Sequence, residues 1–332
     1  MNAISAPPFA ITESEIHQAL AIVRSRVPQT PAYAWPLLAK RLGHDVVVKH
    51  ENHTPTGSFK ARGGLVYVHR LLARDPDLRG IVTATRGNHG QSVALAGSAA
   101  GVPVKIVVPE GNSPEKNAAM EAFGGTIVVG GKDFDESRQE AAWIRDEEGY
   151  HFIPSFHRDL VAGVATYAWE LFAAHPDLAR VYVPIGMGSG ICSLIAVRDL
   201  MGLKTDIIGV VAEGAPAFAQ SFAAGHPTPS DRANTFADGM ACRDPQPEPF
   251  AIIKAGAADV VTVSDAEIAE AVRTFYTDTH NLAEGAGAAA LAALTKTLRD
   301  GSVRSGRSGV ILTGGNIDQA LMVKLLAGDM PT

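Results

Sequence analysis

The sequence predicts an α/β protein built on mostly parallel sheets. Short β-rich runs recur along the chain, and each is followed by a helical segment rich in alanine. The runs are apolar throughout rather than alternating, which is typical of strands covered by helices on both faces. Alternation of such strands with helices indicates an α/β fold with mostly parallel sheets.

The individual elements follow from these runs and the segments between them. The predicted strands cover residues 45–49, 80–84, 104–109, 126–129, 181–185, 207–212 and 310–312. Helices are predicted from about Ser58 and over residues 90–100, 114–123 and 135–148. Residues 225–232 and 244–249 are rich in turn formers and are predicted to be loops.

Composition and charge limit the class of protein. The chain has 332 residues, 46% of them hydrophobic and 19% charged, which fits a globular protein of about two domains. A net charge of −6 gives no basic field for nucleic acid or an anionic membrane. The two cysteines, Cys192 and Cys242, provide no disulfide framework. No signal peptide and no apolar run of about 18 residues is present, so a cytoplasmic location is expected.

Four glycine-rich junctions follow predicted strands, where α/β proteins bind ligands. The first is ENHTPTGSFKARGG, in which Lys60 lies just after a Gly-Ser turn. A lysine at such a place is usually solvated. The alternative is an imine-forming nucleophile, which requires a desolvated amine or a neighbouring cation.

The second junction is TATRGNHGQ, in which a strand ends and a helix begins. The free N–H groups of the helix start, with Thr85, Asn88 and His89, can bind a carboxylate. The alternative is a structural helix start capped by Asn88.

The third and fourth junctions are PIGMGSGICS and VILTGGNID. Gly186, Gly188 and Gly190 leave backbone N–H groups unobstructed and, with Ser189, can hold a phosphate. A tight structural turn explains the same glycines. Thr313 closes a strand, where its hydroxyl either faces a ligand or caps a helix.

In this order, the four segments resemble those of the fold-type II pyridoxal-phosphate enzymes, of the tryptophan synthase β kind. The closest match is the branch of serine/threonine dehydratases and serine racemases. PTGSFKARGG resembles the lysine motif of that branch and RGNHGQ its substrate-carboxylate loop. Further matches are DGMA at 238–241, EGAGAAALAAL at 284–294 and TGGN at 313–316. The resemblance runs from roughly Ile16 to Leu326.

The resemblance implies a role for each matching residue. Lys60 holds pyridoxal phosphate as an imine and then moves the Cα proton, and Asn88 bonds the 3-hydroxyl of the cofactor. The cofactor-binding set is Phe59, Lys60, Asn88, Gly186, Met187, Gly188, Ser189, Gly190, Glu284 and Thr313. The substrate-binding set is Thr85, Arg86, Gly87, Asn88, His89 and Gly239.

Thr313 as the partner of the pyridine nitrogen indicates the type of reaction. A hydroxyl does not stabilise a charged pyridinium as a carboxylate does, so loss of a β-leaving group is favoured over transamination. The expected enzyme is a lyase that turns a β-hydroxy amino acid, such as threonine, serine, 3-hydroxyaspartate or phenylserine, into a keto acid and ammonia. The alternatives are a β-replacement synthase, an amino-acid racemase and a non-catalytic protein that carries the cofactor.

Three departures from the pattern of the branch qualify these roles. Arg86 stands where the racemases have a proton-shuttling serine, and a guanidinium shuttles protons poorly. Arg86 either pairs with a second substrate carboxylate, stacks on an aromatic substrate, or forms a surface salt bridge. GMGSG replaces a run of four glycines, with Ser189 as an added donor. Ala219 stands where a cation ligand is expected beside Glu213, so no metal is predicted to be required.

The implied architecture is two α/β domains with the cofactor in the cleft between them. The large domain comprises residues 1–79 and 156–332, and a small mobile domain of residues 80–155 is inserted in it. No regulatory domain is expected at the C-terminus. A small amino-acid substrate and a homodimer are expected, with no nucleic-acid or membrane partner.

Overall fold

The computed structural model describes residues 9–303 and 305–330. In those residues it has ten strands: β1 (Ala32–Ala34), β2 (Val46–His50), β3 (Ile81–Ala84), β4 (Val104–Val108), β5 (Thr126–Val129), β6 (His151–Phe152), β7 (Arg180–Pro184), β8 (Asp206–Ala212), β9 (Asp259–Val263) and β10 (Ser308–Leu312).

The same residues contain thirteen α-helices. They are α1 (Glu13–Arg24), α2 (Pro36–Leu42), α3 (Lys60–Arg74), α4 (Asn88–Ala100), α5 (Pro114–Ala122), α6 (Phe134–Glu148), α7 (Arg158–Ala174), α8 (Ser189–Leu200), α9 (Ala217–Ala224), α10 (Pro247–Gly256), α11 (Asp265–Thr279), α12 (Gly285–Arg299) and α13 (Gln319–Ala327). None of these helices is long and apolar enough to cross a membrane.

The strands form two sheets. A six-stranded sheet has the order β1-β2-β10-β7-β8-β9 and draws strands from both ends of the chain. A four-stranded sheet has the order β5-β4-β3-β6 and comes from one continuous stretch. Every pair is parallel except β1 with β2. The predicted α/β class with mostly parallel sheets is confirmed.

Both faces of the large sheet are buried. All five residues of β2 and of β10 are buried. Val47 belongs to one hydrophobic cluster, whereas Val46 and Val48 belong to another. Because successive side chains of a strand point to opposite faces, helices cover the sheet on both sides. The uniformly apolar strands of the sequence reflect this arrangement.

Some elements differ from the prediction. Strands β1, β6 and β9 were not predicted, because they are short or only partly buried. The predicted loop at 244–249 is wrong in its second half, since α10 begins at Pro247. Proline at the first helical position costs no hydrogen bond, and Phe250 and Ile253 of this helix are buried. The four-stranded sheet lies within residues 80–155, but the domain boundaries themselves remain predictions.

The topology brings three of the glycine-rich junctions to one edge. Strands β2, β10 and β7 are parallel neighbours, so their carboxyl ends meet at the same edge of the sheet. The lysine turn follows β2, Thr313 follows β10, and the loop Gly186–Gly190 follows β7. The second junction, TATRGNHGQ, follows β3 in the other sheet and faces this edge through contacts of Asn88.

Candidate active site

The turn that carries Lys60 is fastened to the end of β10. The Phe59 N–H donates to the Thr313 carbonyl at 3.0 Å, and the Gly315 N–H donates to the Gly57 carbonyl at 2.9 Å. Ser58 and Gly314 form a β-bridge between the same segments. Lys60 is the first residue of α3, so the position of its amine is set by both segments.

Lys60 is not an ordinary solvated lysine. Burial lowers the pKa of its amine, although the carboxylates of Glu284 and Asp238 oppose the effect. The residue as a whole retains partial exposure. The Ser92 hydroxyl donates to the Lys60 carbonyl at 2.5 Å and holds the first turn of α3. A desolvated amine with a lowered pKa has the property that an imine-forming lysine requires.

The carboxylate loop between β3 and α4 has a different helix start from the one predicted. Gly87, not Asn88, occupies the N-cap position, and no side chain caps the helix. The interpretation of Asn88 as a cap is therefore wrong. The Gly87 N–H donates to the Thr85 hydroxyl at 3.1 Å. The N-terminal turn of α4 keeps N–H groups available for an anion.

The Asn88 side chain is held at both ends of its amide. Its Nδ2 donates to Oε1 of Glu284 at 2.7 Å, and its Oδ1 accepts from Nδ2 of Asn316 at 2.7 Å. Asn316 also donates to the Thr56 carbonyl in the lysine turn at 2.7 Å. A continuous chain of hydrogen bonds thus connects the carboxylate loop, the TGGN segment and the lysine turn.

Two buried polar atoms in the described residues of this site have no partner. His89 is 6% exposed and its Nε2 forms no hydrogen bond, and the Ser58 hydroxyl is also unpaired. Burial and the charge of Lys60 lower the pKa of His89 to about 3, so the ring is neutral. Since unpaired buried polar groups are costly, these atoms indicate a place kept for a polar ligand.

The glycine loop has the shape of a phosphate cradle. Gly188 has a φ of 99° and caps α8, which begins at Ser189 without a side-chain cap. A Cβ atom on Gly186 would lie 2.2 Å from the Gly239 carbonyl, so a larger residue does not fit there. The Tyr167 hydroxyl donates to the Gly190 carbonyl at 3.1 Å. Free N–H groups at a helix start suit the phosphate of pyridoxal phosphate.

The remaining predicted residues are placed as follows. Met187 is half-buried against the core, and Thr313 is 4% exposed directly after β10. Glu284 is the N-cap residue of α12 and its N–H donates to the Gly314 carbonyl at 3.1 Å. Burial, with Asp238 nearby, raises the pKa of Glu284 to about 7.

Arg86 is exposed and makes no hydrogen bond or ion pair with any residue of the two described ranges. The interpretation as a surface salt bridge is therefore wrong for this part of the chain. The two remaining interpretations are pairing with a second substrate carboxylate and stacking on an aromatic substrate, and both require a guanidinium that is free to meet a substrate.

The roles of two residues of the site, Asn316 and Lys116, were not found from the sequence. Asn316 lies in the TGGN segment, but nothing in that motif indicated its hydrogen bonds. Lys116 on α5 forms an ion pair with Asp238 of the DGMA segment. No local pattern marked Lys116, because its partners are far away in sequence.

Comparison with known proteins agrees with the geometry in pointing to a pyridoxal-phosphate enzyme. A family model described as pyridoxal-phosphate dependent enzyme matches residues 23–314. The biosynthetic L-threonine dehydratase of Salmonella typhimurium is 31% identical over 94% of this chain and 61% of its own length. The L-threonine ammonia-lyase of Geobacter sulfurreducens is 35% identical over 89% of this chain and 73% of its own length. The chain thus spans 56–61% of the length of three bacterial biosynthetic threonine dehydratases that it matches.

Solved structures agree in fold. A pyridoxal-phosphate-dependent aspartate racemase superposes with a TM-score of 0.89 at 28% identity, covering 96% of this chain and 99% of its own. Threonine deaminase isoform 2 from Solanum lycopersicum gives a TM-score of 0.87 at 29% identity, covering 97% and 98%. Because the family model covers most of the chain and the fold agrees throughout, this chain belongs to the pyridoxal-phosphate-dependent enzymes of fold type II.

Proposed function

We propose that the protein is a dehydratase that converts a β-hydroxy-α-amino acid to a 2-keto acid and ammonia. The observation that carries the proposal is the desolvated amine of Lys60, which follows a turn hydrogen-bonded to Thr313 and begins a helix held by Ser92 of α4. The names of the relatives, threonine dehydratase and threonine ammonia-lyase, support the same reaction.

The residues present fit the cofactor. The N–H groups of Gly188, Ser189 and Gly190 would hold its phosphate, and Thr313 would place an uncharged hydroxyl at its ring nitrogen. Lys60 would hold it covalently. When bound, pyridoxal phosphate withdraws electrons from the Cα atom of an amino acid and so makes the Cα proton acidic.

The protein side chains then have separable tasks. The start of α4, with Thr85 and the neutral ring of His89, would bind the substrate carboxylate. Lys60, with its lowered pKa, would remove the Cα proton, and the β-hydroxyl would take up one proton and leave as water, so the proton lost at Cα balances the one gained by the leaving group. The enamine that is released takes up water and gives the keto acid and ammonia, which balances the reaction.

A racemase is the second candidate, because aspartate racemase and maize serine racemase have the same fold. Racemisation needs a second group that delivers a proton to the opposite face of Cα. Arg86 occupies the position at which a serine would do so, and a guanidinium holds its proton too tightly to be a good proton donor. We therefore favour elimination. A β-replacement synthase would differ in needing an added nucleophile to form its product.

The substrate class is proposed from Arg86. A guanidinium without a partner among the described residues, two positions before Asn88, suits a second carboxylate on the substrate. We therefore place 3-hydroxyaspartate ahead of serine, threonine and phenylserine.

A homodimer is proposed as the assembly. Four large hydrophobic residues are exposed on β1, on α2, near the C-terminal end of α11 and just after it, namely Tyr33, Leu37, Tyr276 and Leu282. An ion pair of Arg41 with Asp278 at 2.6 Å joins α2 to α11, so these elements form one surface. A second copy of the chain would cover this surface. Light scattering of the Leu37→Glu variant tests the proposal, since the mass should fall to that of a monomer.

The deciding experiment measures keto acid and ammonia released from the stereoisomers of serine, threonine, 3-hydroxyaspartate and phenylserine. Lys60→Ala is the control, and it should abolish turnover. Release from one substrate, absent in the control, supports the dehydratase. Inverted amino acid without keto acid would favour the racemase, and product only with an added thiol would favour β-replacement.

A further inference from the structure

The first turn of α5, like Asn88 at the start of α4, reaches the large sheet's side of the cleft. The Ser113 hydroxyl donates to Oδ1 of Asp318 at 2.7 Å. The Gln319 N–H, at the start of α13, donates to the carboxylate of Glu115 at 3.1 and 3.2 Å. Lys116 of the same turn forms an ion pair with Asp238. Three neighbouring side chains thus dock one turn onto two separate segments.

Lys116 differs from Ser113 and Glu115 because its side chain also contacts the carboxylate loop. A Cβ atom on Gly87 would lie 3.0 Å from Cδ of Lys116, so the lysine stem lies directly against the loop. Any larger residue at position 87 would displace this stem. The same lysine therefore contacts the loop with its stem and Asp238 with its amine.

The lysine end of the ion pair is largely shielded from solvent, whereas the aspartate end is exposed. The side chain of Lys116 is 17% exposed and that of Asp238 is 37% exposed. Burial disfavours the ammonium of Lys116, but Asp238 and the nearby Glu284 outweigh it and raise the pKa, so the lysine stays charged. Charge-assisted hydrogen bonds of this kind are the stronger ones in proteins.

The Asp238 end of the pair is tied to the glycine loop. Asp238 begins the short helical turn Asp238–Met240, and the carbonyl of Gly239 lies against Gly186. The pair therefore connects the loop for the substrate carboxylate with the segment that packs against the phosphate cradle.

We propose that Lys116 is a positioning residue, whose ion pair with Asp238 holds the carboxylate loop in its binding geometry. Ser113 and Glu115 instead dock the same turn onto Asp318 and Gln319. The inference rests on the proposed function only in that the ligand is an amino acid, and it holds for any reaction that follows binding.

The test compares Lys116→Met, Asp238→Asn and their double variant in the holoenzyme, with Glu115→Gln as the matched control. Methionine keeps the stem against Gly87 without the charge, and glutamine keeps an acceptor for Gln319. Binding of L-serine and 3-hydroxyaspartate is followed by the change in cofactor absorbance, and KM and kcat are measured alongside. The absorbance reports binding even where no keto acid forms, so failure of the dehydratase assignment is recognised separately.

Each single variant should weaken amino-acid binding and raise KM by about tenfold or more, with kcat changed much less. The double variant should be no worse than the singles, because both remove one interaction. Affinity for pyridoxal phosphate and the melting temperature should stay near those of the parent.

Three results would overturn the inference. One is binding within about twofold of the parent in both single variants. Another is a double variant whose loss is the product of the single losses. The third is an equal loss in Glu115→Gln, which would assign the effect to removal of any charge from this turn rather than to the ion pair with Asp238. If Lys116→Met does not fold, Asp238→Asn alone still decides, and a parent that binds no amino acid also refutes the proposal.

Discussion

The side-chain amide of Asn88 and the carboxyl of Glu284 form a 2.7 Å hydrogen bond across the cleft between the two sheets. Asn88 begins α4 after a strand of the four-stranded sheet, and Glu284 precedes α12, which packs on the six-stranded sheet. Asn316 holds the other end of the same amide. Asn88 is thus oriented by two residues that follow it by roughly two hundred positions.

Glu284 should make the stability of the apo-protein depend on pH. Its pKa is raised from 4.5 to about 7, so the folded protein binds this proton more tightly than the unfolded chain does. The stabilisation is complete below about pH 4.5 and is lost as the pH rises through about 7. The shift corresponds to about 3 kcal/mol at most.

Glu284→Gln should remove this dependence. Urea denaturation of apo-protein at pH 5.5 and pH 8 measures it, and the variant should gain stability relative to the parent at the higher pH. Glu147→Gln, at an exposed position of α6, is the control and should leave the free energy of unfolding unchanged at both pH values. If the free energy of unfolding of Glu284→Gln still fell between pH 5.5 and pH 8 as much as that of the parent, the prediction would be contradicted.

Lys60→Met should be more stable than the parent in the apo form. Burial lowers the pKa of the Lys60 amine, so the unfolded chain binds that proton more tightly and the charged lysine costs stability at neutral pH. The gain should shrink as the pH rises, because the amine then becomes neutral in both states. Keto-acid formation should fall by at least about a thousandfold. Lys40 is an exposed lysine of α2 and serves as the control, so Lys40→Met should neither stabilise the apo-protein nor reduce keto-acid formation.

Two glycines of the same loop should respond differently to alanine. Gly186→Ala places Cβ 2.2 Å from the Gly239 carbonyl, a backbone atom, and should destabilise the protein by about 1–3 kcal/mol. Gly190→Ala meets nothing closer than the Tyr167 hydroxyl at 3.4 Å, within a helix that favours alanine. Denaturation of the apo-proteins measures both, and equal losses would show that packing at Gly186 is not the cause.

What the sequence allowed us to predict was local. A buried strand followed by glycines is a pattern of a few neighbouring residues, and it located Lys60, Asn88, Ser189 and Thr313 at strand ends. The pattern did not decide whether Lys60 is desolvated, because that depends on Glu284 and other groups far along the chain. The resemblance to known enzymes was needed to choose between a solvated lysine and an imine-forming one.

What was missed depends on long-range contacts. The hydrogen bond of Lys116 to Asp238 joins positions 122 apart, and that of Asn316 to Asn88 joins positions 228 apart. No periodicity in the sequence reports such a pair. Strand β6 was missed for a related reason, since two residues are too few for a pattern.

Arg62, two residues after the proposed nucleophile, should be essential for stability. Its guanidinium is fully buried and bonds Glu51 at 2.8 Å and Glu170 at 2.9 Å, and Lys49 bonds Glu170 at 2.8 Å. Removing one partner leaves a buried carboxylate uncompensated, so Arg62→Met should cost about 3–5 kcal/mol in urea denaturation.

Arg145→Met is the matched control, because the exposed pair of Arg145 with Asp146 contributes little. Arg62→Lys should lose part of the same stability, since an ammonium does not reproduce the forked contacts of a guanidinium. A loss below about 1 kcal/mol in Arg62→Met would show that the network rearranges.

Arg86 should decide between substrates rather than support the fold. It is exposed and makes no hydrogen bond or ion pair within the described residues, so Arg86→Ala should leave the melting temperature within about one degree of the parent. If its guanidinium receives a second carboxylate, kcat/KM for 3-hydroxyaspartate should fall by about a hundredfold, while that for serine changes by less than about threefold. Arg86→Lys should restore part of the activity, because the charge returns without the bidentate geometry.

Steady-state kinetics with the four substrates separates the competing roles of Arg86. A loss confined to phenylserine would indicate stacking of the guanidinium on an aromatic ring instead of pairing with a carboxylate. An equal loss on every substrate would mean that Arg86 maintains the conformation of the carboxylate loop. Only the selective loss on the acidic substrate is consistent with the proposed substrate class, because a second carboxylate is the one feature that 3-hydroxyaspartate has and serine lacks.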